Sequence, residues 1–331
     1  MLPVRKFRCH VKDYSNVSIL DRLWLKYFIQ EPVKPPPSIG DRITNFLHHF
    51  LPLSFQQSLR DNGYMRFLFD ASVTIAATLI GMLKPSVARN FLTTSYSLQS
   101  YRYGHTASEN IEVIKNEEAD SSKRRVLIFV HGGAWGSGRP WMYRLVSQAL
   151  MSLLCTTHVA IVGYPVYPSA SIQKQTKCLY KAIKYIRKRF FPSADFVLCG
   201  HSSGANISAL CLLQFFSESK LSYITKFVGL SGVYDIPKHY LWEKDRGVHE
   251  ISPMKGAAGS ITPRFIKCSP TILLALNTTG VMFPPTLLIH CEDDFVVPVS
   301  STVEFAFHLN RHGIKIDIFI PKVIIRCDSI M

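Results

Sequence analysis

What this chain lacks already excludes several classes. Its eight cysteines, Cys9, Cys155, Cys178, Cys199, Cys211, Cys268, Cys291 and Cys327, contain no CxxC pair and no metal-ligand spacing, which argues against zinc modules and disulfide scaffolds. Several sit inside apolar runs, as buried free thiols do, and point to a reducing compartment. The opening MLPVRKFRCHVKD has basic residues but no apolar core segment, so a cleaved secretory signal is not expected and the chain reads as intracellular. No internal repeat or low-complexity tract is visible. No long uninterrupted apolar run is present either. The most apolar piece, residues 66–83, reads RFLFDASVTIAATLIGML, and extending it past residues 71–83 brings Asp70 into the span, too short or too charged to cross a bilayer comfortably. It is expected to be a cap or packing helix, with an endomembrane-associated helix flanked by Arg66 and Lys84 as the second choice and a transmembrane segment as the last.

Acidic residues are also scarce: 23 Asp and Glu face 38 Lys and Arg, a formal net charge of +15. Such a balance favours polyanions. The basic residues are dispersed, no nucleic-acid fold signature accompanies them, and residues 184–189 read as the solvated face of a helix. Contact with a membrane surface is therefore preferred to a nucleic-acid partner.

What is present is a chain of 331 residues, 47% hydrophobic, enough for one large α/β domain plus an extension. The expected division is a helical extension over residues 1–100 and a catalytic domain over residues 101–331. In the extension, residues 19–29 and 41–51 read as helical stretches, the first stopped by EPVKPPPS, where prolines forbid further helix.

The centre of the chain is residues 196–210, FVLCGHSSGANISAL. Apolar residues 196–199 suit a buried strand, and residues from Ala205 onward suit a helix. Gly200 and Gly204 flank Ser202 at the GxSxG spacing, which a sharp strand-to-helix turn needs because a side chain at either place would collide with its neighbours. The turn lifts the Ser202 hydroxyl above the sheet, where the free N–H groups of the helix face an oxyanion. Upstream, RRVLIFVHGGAWGSG places a buried strand, residues 126–130, before His131, Gly132 and Gly133. An HGG element of this kind supplies the other half of an oxyanion hole.

The remaining elements alternate. Residues 111–114 read as an entry strand, 141–154 as an amphipathic helix, 159–163 as a strand, 172–190 as a long helix with a basic face, and 227–230 as a strand. Near-continuous apolar strands between helices imply a mainly parallel sheet covered on both faces, with site residues at the strand carboxyl ends. Residues 238–269 are long and weakly periodic and are expected to wall a pocket. Residues 286–290 form a further strand, followed by HCEDDFVVP. A carboxylate here would hold a catalytic histidine in the correct tautomer; Asp294 fits best, Asp293 next and Glu292 last.

HGGAW, GHSSG, SGVYD, RGVHEISPM and DFVVP together resemble the carboxylesterase branch of the α/β-hydrolases that contains isoprenylcysteine methylesterases, with kynurenine formamidases as near relatives. The resemblance covers about two thirds of the chain. It implies the α/β-hydrolase fold and hydrolysis of a carboxylic ester, with the methyl ester of a prenylated cysteine as one candidate among small-molecule or lipidated substrates. It implies Ser202 as nucleophile, Asp294 as the acid, and the backbone N–H groups near Gly133, Ala134 and Ser203 as the oxyanion hole. No metal or organic cofactor is required. An arylformamidase is the alternative enzyme; a non-catalytic binding protein of the same fold and a membrane-surface interaction protein are the alternatives of other classes.

Two departures stand beside the matches. Pro165 in GYPVYP replaces an arginine common in the family. More consequential, the histidine of this fold follows the last strand, here residues 315–320, yet PKVIIRCDSIM contains none. His308 and His312 fall on or after the preceding helix; His131, His201 and His290 read as structural. The expectation is a chain whose C-terminal helix and histidine loop are truncated or alternatively spliced relative to an active form.

Overall fold

A computed structural model describes residues 96–322 except 117–124, 217–220, 246, 250, 251, 261, 279 and 295. The stretches expected at 19–29, 41–51 and 66–83, and the expected truncation beyond Lys322, lie outside the described residues.

The domain is built on an eight-stranded sheet in the order β1-β2-β4-β3-β5-β6-β7-β8. Strands β1 (Tyr96–Arg102), β2 (Asn110–Asn116) and β4 (His158–Val162) pair antiparallel. From β4 onward the ladder is parallel through β3 (Arg125–Val130), β5 (Asp195–His201), β6 (Ile224–Leu230), β7 (Thr286–Ile289) and β8 (Ile316–Phe319). The α/β-hydrolase fold expected from the motifs is the fold found. The sheet begins one strand earlier than the entry strand read from sequence: β1 is mostly polar, with an exposed face, and shows no apolar run.

Alternation along β3 divides the core. Val126, Ile128 and Val130 join Leu198 and Phe196 in a cluster with α2 (Ile172–Arg189) and α3 (Ser203–Phe215), through Leu179, Ile183, Ile207 and Leu210. Leu127 and Phe129 face the other way, onto Val197, Cys199 and Met151 of α1 (Arg144–Leu153). Both faces of the central strands are thus covered, which is why residues 126–130 and 196–199 are apolar without a break. The helix read over 141–154 is split, since Pro140 opens a 3-10 turn, Pro140–Tyr143, before α1 begins.

The weakly periodic insertion is not irregular. The insertion and its flanks hold α4 (Ile236–Asp245), α5 (Met254–Ala258), α6 (Thr262–Lys267) and α7 (Pro270–Leu276). Each is too short for a helical period to emerge from sequence. Finally, α8 (Val299–Arg311) leads into β8 with His312 as its C-cap.

Candidate active site

Register brings the site together. Leu230 pairs with His201 of β5 and with Ile289 of β7, so three adjacent strands end at one level. The pairing runs one residue further: Ser202 N–H donates to Leu230 O at 2.8 Å, Ser231 N–H to Ile289 O at 2.8 Å and His290 N–H to Phe319 O at 3.1 Å. Ser202 and the Asp294 loop therefore rise from the same edge, as expected for a doubly covered parallel sheet.

Ser202 has φ 51° and ψ −119°, a conformation that L-residues reach only under strain. Its carbonyl accepts from Ala205 N at 3.0 Å and Asn206 N at 3.3 Å, so the strained residue is locked into the first turn of α3. The two flanking glycines are needed for contact rather than flexibility. A Cβ on Gly200 would stand 2.6 Å from the backbone N of Ala205, and one on Gly204 would stand 2.3 Å from the carbonyl oxygens of Val130 and His131. Helix α3 thus presses against the end of β3, and its first residue, Ser203, is fully buried.

The segment after β3 is held in an unusual turn: Gly133, Ala134 and Trp135 have φ of 123°, 49° and 59°. Gly136 N and Ser137 N both donate to Gly133 O, at 3.0 and 2.9 Å, and Ser137 Oγ donates to it at 3.0 Å. A Cβ on Gly132 would lie 2.9 Å from His201 Nδ1 and 3.2 Å from Ser202 Cβ, so the turn lies directly against the serine. Ser203 follows Ser202 at the start of α3, and Gly133 and Ala134 follow Gly132 in the turn that meets it.

Four side chains fix this turn, and none was singled out from sequence. Trp135 Nε1 donates to Asn206 Oδ1 at 3.3 Å, and Asn206 Nδ2 donates to Val233 O and Cys268 O, both at 2.9 Å. Gln175 Nε2 donates to Trp135 O at 2.9 Å. Tyr164 donates to His131 O at 2.6 Å while its ring stacks on the His131 imidazole at 4.2 Å. The one available signal was Asn206, an amide side chain one turn after Ser202 in a helix that is buried from Ser203 to Leu212.

Among the three candidate carboxylates, Glu292 and Asp293 are exposed, and Glu292 pairs with Lys322 at 3.4 Å. Asp294 is turned inward. Its Oδ1 accepts from Val296 N at 2.9 Å and Val297 N at 3.0 Å, and its Oδ2 lies 3.5 Å from His290 Nε2. Burial opposes its charge, but hydrogen bonding from His290, Val297 and Val296 outweighs burial and pulls its pKa down to about 2. His290 is itself buried; Nε2 donates to Val297 O at 2.8 Å and Nδ1 meets Thr302 Oγ1 at 2.6 Å.

The histidines lie where the sequence suggested. His131 is buried, its Nδ1 donates to Gly132 O at 2.8 Å, and burial pushes its pKa down to about 4. His201 is pushed below its ordinary value by burial, against the pull of the Asp294 charge. His312 Nε2 donates to Leu274 O at 2.9 Å. Among the described residues, the Ser202 hydroxyl makes no hydrogen bond to any of them. Nor do these residues contain a cluster of metal-ligating side chains or a helix long and apolar enough to cross a membrane.

Comparison with known proteins agrees with the fold. A probable isoprenylcysteine alpha-carbonyl methylesterase of Arabidopsis thaliana is 26% identical over 243 residues, 68% of this chain and 50% of that protein. The kynurenine formamidase of Meyerozyma guilliermondii is 29% identical over 143 residues, 41% of this chain and 53% of that one. The chain spans about half the length of these curated relatives. Esterase B of Lactobacillus rhamnosis has the same fold, with a TM-score of 0.57 at 14% identity over 76% of this chain and 85% of that one. A family model described as alpha/beta hydrolase fold matches residues 127–317, from β3 to β8 and more than half of the sequence. The chain belongs to the alpha/beta hydrolase fold family.

Proposed function

We propose that this domain is a serine-dependent carboxylic ester hydrolase with Ser202 as nucleophile. The observation that carries this is the strained Ser202, φ 51°, set against the left-handed Gly133–Ala134–Trp135 turn. Strain of this kind persists only where the surroundings over-determine it. Ser202 Oγ attacks the ester carbonyl, and the N–H groups of Gly133, Ala134 and Ser203 receive the oxyanion. The alcohol leaves, and water releases the acyl group from Ser202. Asp294, ionised far below neutral pH, would fix the tautomer and stabilise the imidazolium of a histidine base that takes the Ser202 proton and passes it to the leaving alcohol. No described histidine contacts the Ser202 hydroxyl, so that base must come from outside the described residues.

The substrate we favour is the methyl ester of a prenylated cysteine; likeness to the plant methylesterases and the chain's own basic charge support it. A lipidated ester would be met at a membrane. An arylformamide is the alternative substrate, supported by the fungal relative.

A second reading rests on one observation: among the described residues no histidine hydrogen-bonds to the Ser202 hydroxyl. In serine hydrolases loss of the general base costs on the order of 10⁶ in turnover, so a hydrolase-fold protein that binds its ligand without turning it over is the competing role.

Fluorophosphonate labelling separates the readings. Labelling of the 331-residue chain that vanishes in Ser202→Ala supports an activated nucleophile. Labelling that appears only after a histidine-bearing segment is appended supports an esterase framework without its base. Absence of labelling in both, with ligand binding retained, supports the binding protein. Methyl-ester and formamide substrates then discriminate the two enzyme assignments.

A further inference from the structure

The helix α2 has the sequence IQKQTKCLYKAIKYIRKR and no acidic residue. One side, including Ile172, Cys178, Leu179, Ala182, Ile183 and Ile186, is buried against the sheet and α3. The other presents Lys174, Lys177, Lys181, Lys184 and Lys188, all exposed. Their alternating steps of three and four residues put the five ammonium groups in one row along the axis, about 20 Å long at 1.5 Å per residue.

None of the five makes an ion pair with a described carboxylate; Lys174 reaches Ser169 O at 3.4 Å, and Lys184 lies 5.5 Å from the centre of the Tyr180 ring. The carboxylate of Glu109 is already engaged by the N–H groups of His105 and Thr106. Like charges three and four residues apart destabilise a helix. Among the described residues only the Glu109 charge, which attracts Lys181, offsets this, and one carboxylate against five ammonium groups leaves the row suited to an external polyanion.

At the C-terminal end of the row lies a cavity of about 280 Å³, lined by Tyr101, Lys115, His158, Arg189, Phe190 and Phe191 among others. It is distant from Ser202, since His158 starts β4 whereas Ser202 follows the end of β5. Cations beside aromatic rings are the composition of a water–lipid boundary.

We infer that the lysine face of α2, with the basic and aromatic cavity at its end, docks the protein on an anionic phospholipid bilayer. This deepens the membrane contact proposed above and names the surface that makes it, but it does not depend on Ser202 acting as a nucleophile. A bilayer suits the shape better than a nucleic acid: a straight row of ammonium groups lies along a flat anionic surface and does not follow a winding phosphate track. Long lysine stems can lie along the interface with their ammonium groups among headgroup phosphates.

The test is sedimentation of the full chain with phosphatidylcholine vesicles containing or lacking phosphatidylserine, at low and high salt. The wild type should prefer phosphatidylserine vesicles, with the preference falling as salt rises. Replacing the five lysines by glutamine should reduce that preference at least tenfold, because each lysine near such a surface contributes roughly fivefold. Lysine-to-arginine replacement at the same five sites should retain it, as should Ser202→Ala. Removal of five other exposed cations, Arg102, Arg264, Lys267, Arg311 and Lys315, should change it less than threefold. The inference is overturned if the wild type shows no preference for phosphatidylserine, if the two glutamine variants lose equally, or if the α2 glutamine variant retains the preference. Tighter capture by duplex DNA than by the vesicles at matched charge concentration overturns it as well. Ester hydrolysis and fluorophosphonate labelling are read separately, so loss of one property does not imply loss of the other.

Discussion

Trp135 and Asn206, 71 residues apart in sequence, are joined by a buried hydrogen bond, Nε1 to Oδ1 at 3.3 Å. That bond ties the left-handed turn after β3 to the helix that carries Ser202. Asn206 also holds Val233 O and Cys268 O, so one amide joins four segments.

Asn206→Ala should therefore strand a buried indole N–H and two buried carbonyls. Each such group costs about 1–3 kcal/mol, and urea denaturation should show a loss of at least about 2 kcal/mol. Asn206→Asp keeps the acceptor for Trp135 but loses both donors. It should slow phosphonylation of Ser202 less than the alanine does, if the turn is what sets the oxyanion donors.

Glycines in this chain should differ sharply in their tolerance of alanine. A Cβ on Gly204 would stand 2.3 Å from two carbonyl oxygens, whereas one on Gly280 meets nothing within 4 Å. Gly204→Ala must push α3 away from β3, and the expected result is loss of soluble, phosphonate-reactive protein. Gly280→Ala should change the melting midpoint by no more than the few degrees set by about 1 kcal/mol of chain entropy.

Acid should weaken the fold in two windows. The pKa of His131 falls from 6.5 to about 4 on burial, so between these values the unfolded chain binds the extra proton and stability rises with pH. Full protonation of the unfolded state at that site corresponds to roughly 3 kcal/mol lost by pH 4. Asp294 falls from 3.8 to about 2; its contribution is complete above 3.8 and disappears as pH drops through 2. Denaturant unfolding from pH 7 to pH 3 should show the first decline near pH 6, and His131→Phe should flatten it. A decline that begins only below pH 4 in the wild type would contradict the buried neutral imidazole.

The acid loop should depend on a residue outside it. His290 accepts from the Thr302 hydroxyl at Nδ1 when neutral, and its Nε2 holds Val297 O and faces Asp294. Thr302→Val leaves Nδ1 without its donor in a buried site and should cost about 1–3 kcal/mol. Thr302→Ser should restore most of it. If Asp294 serves a base supplied beside Ser202, the valine variant should also lower kcat with little change in KM.

The sequence by itself determined the fold class and the position of the strand-to-helix turn at Ser202. GHSSG and HGGAW show where Ser202 and its glycines stand because backbone strain and close packing admit few residue types, and residues 126–130 and 196–199 are apolar without a break because both faces of β3 and β5 are covered. It also marked the acid loop and left Asp294 ahead of Asp293 and Glu292. Tertiary structure separated those three, since only Asp294 meets the N–H groups of Val296 and Val297 and the buried His290. Partners such as Asn206 and Gln175 were hidden for the same reason: their hydrogen bonds reach Trp135 from elsewhere in the chain, and no local period records a contact of that range. The polar edge strand β1 became legible only when paired with β2, and the short helices α4 to α7 only when packed. Local chemistry chose the turn that holds Ser202; burial and register decided which distant groups surround it.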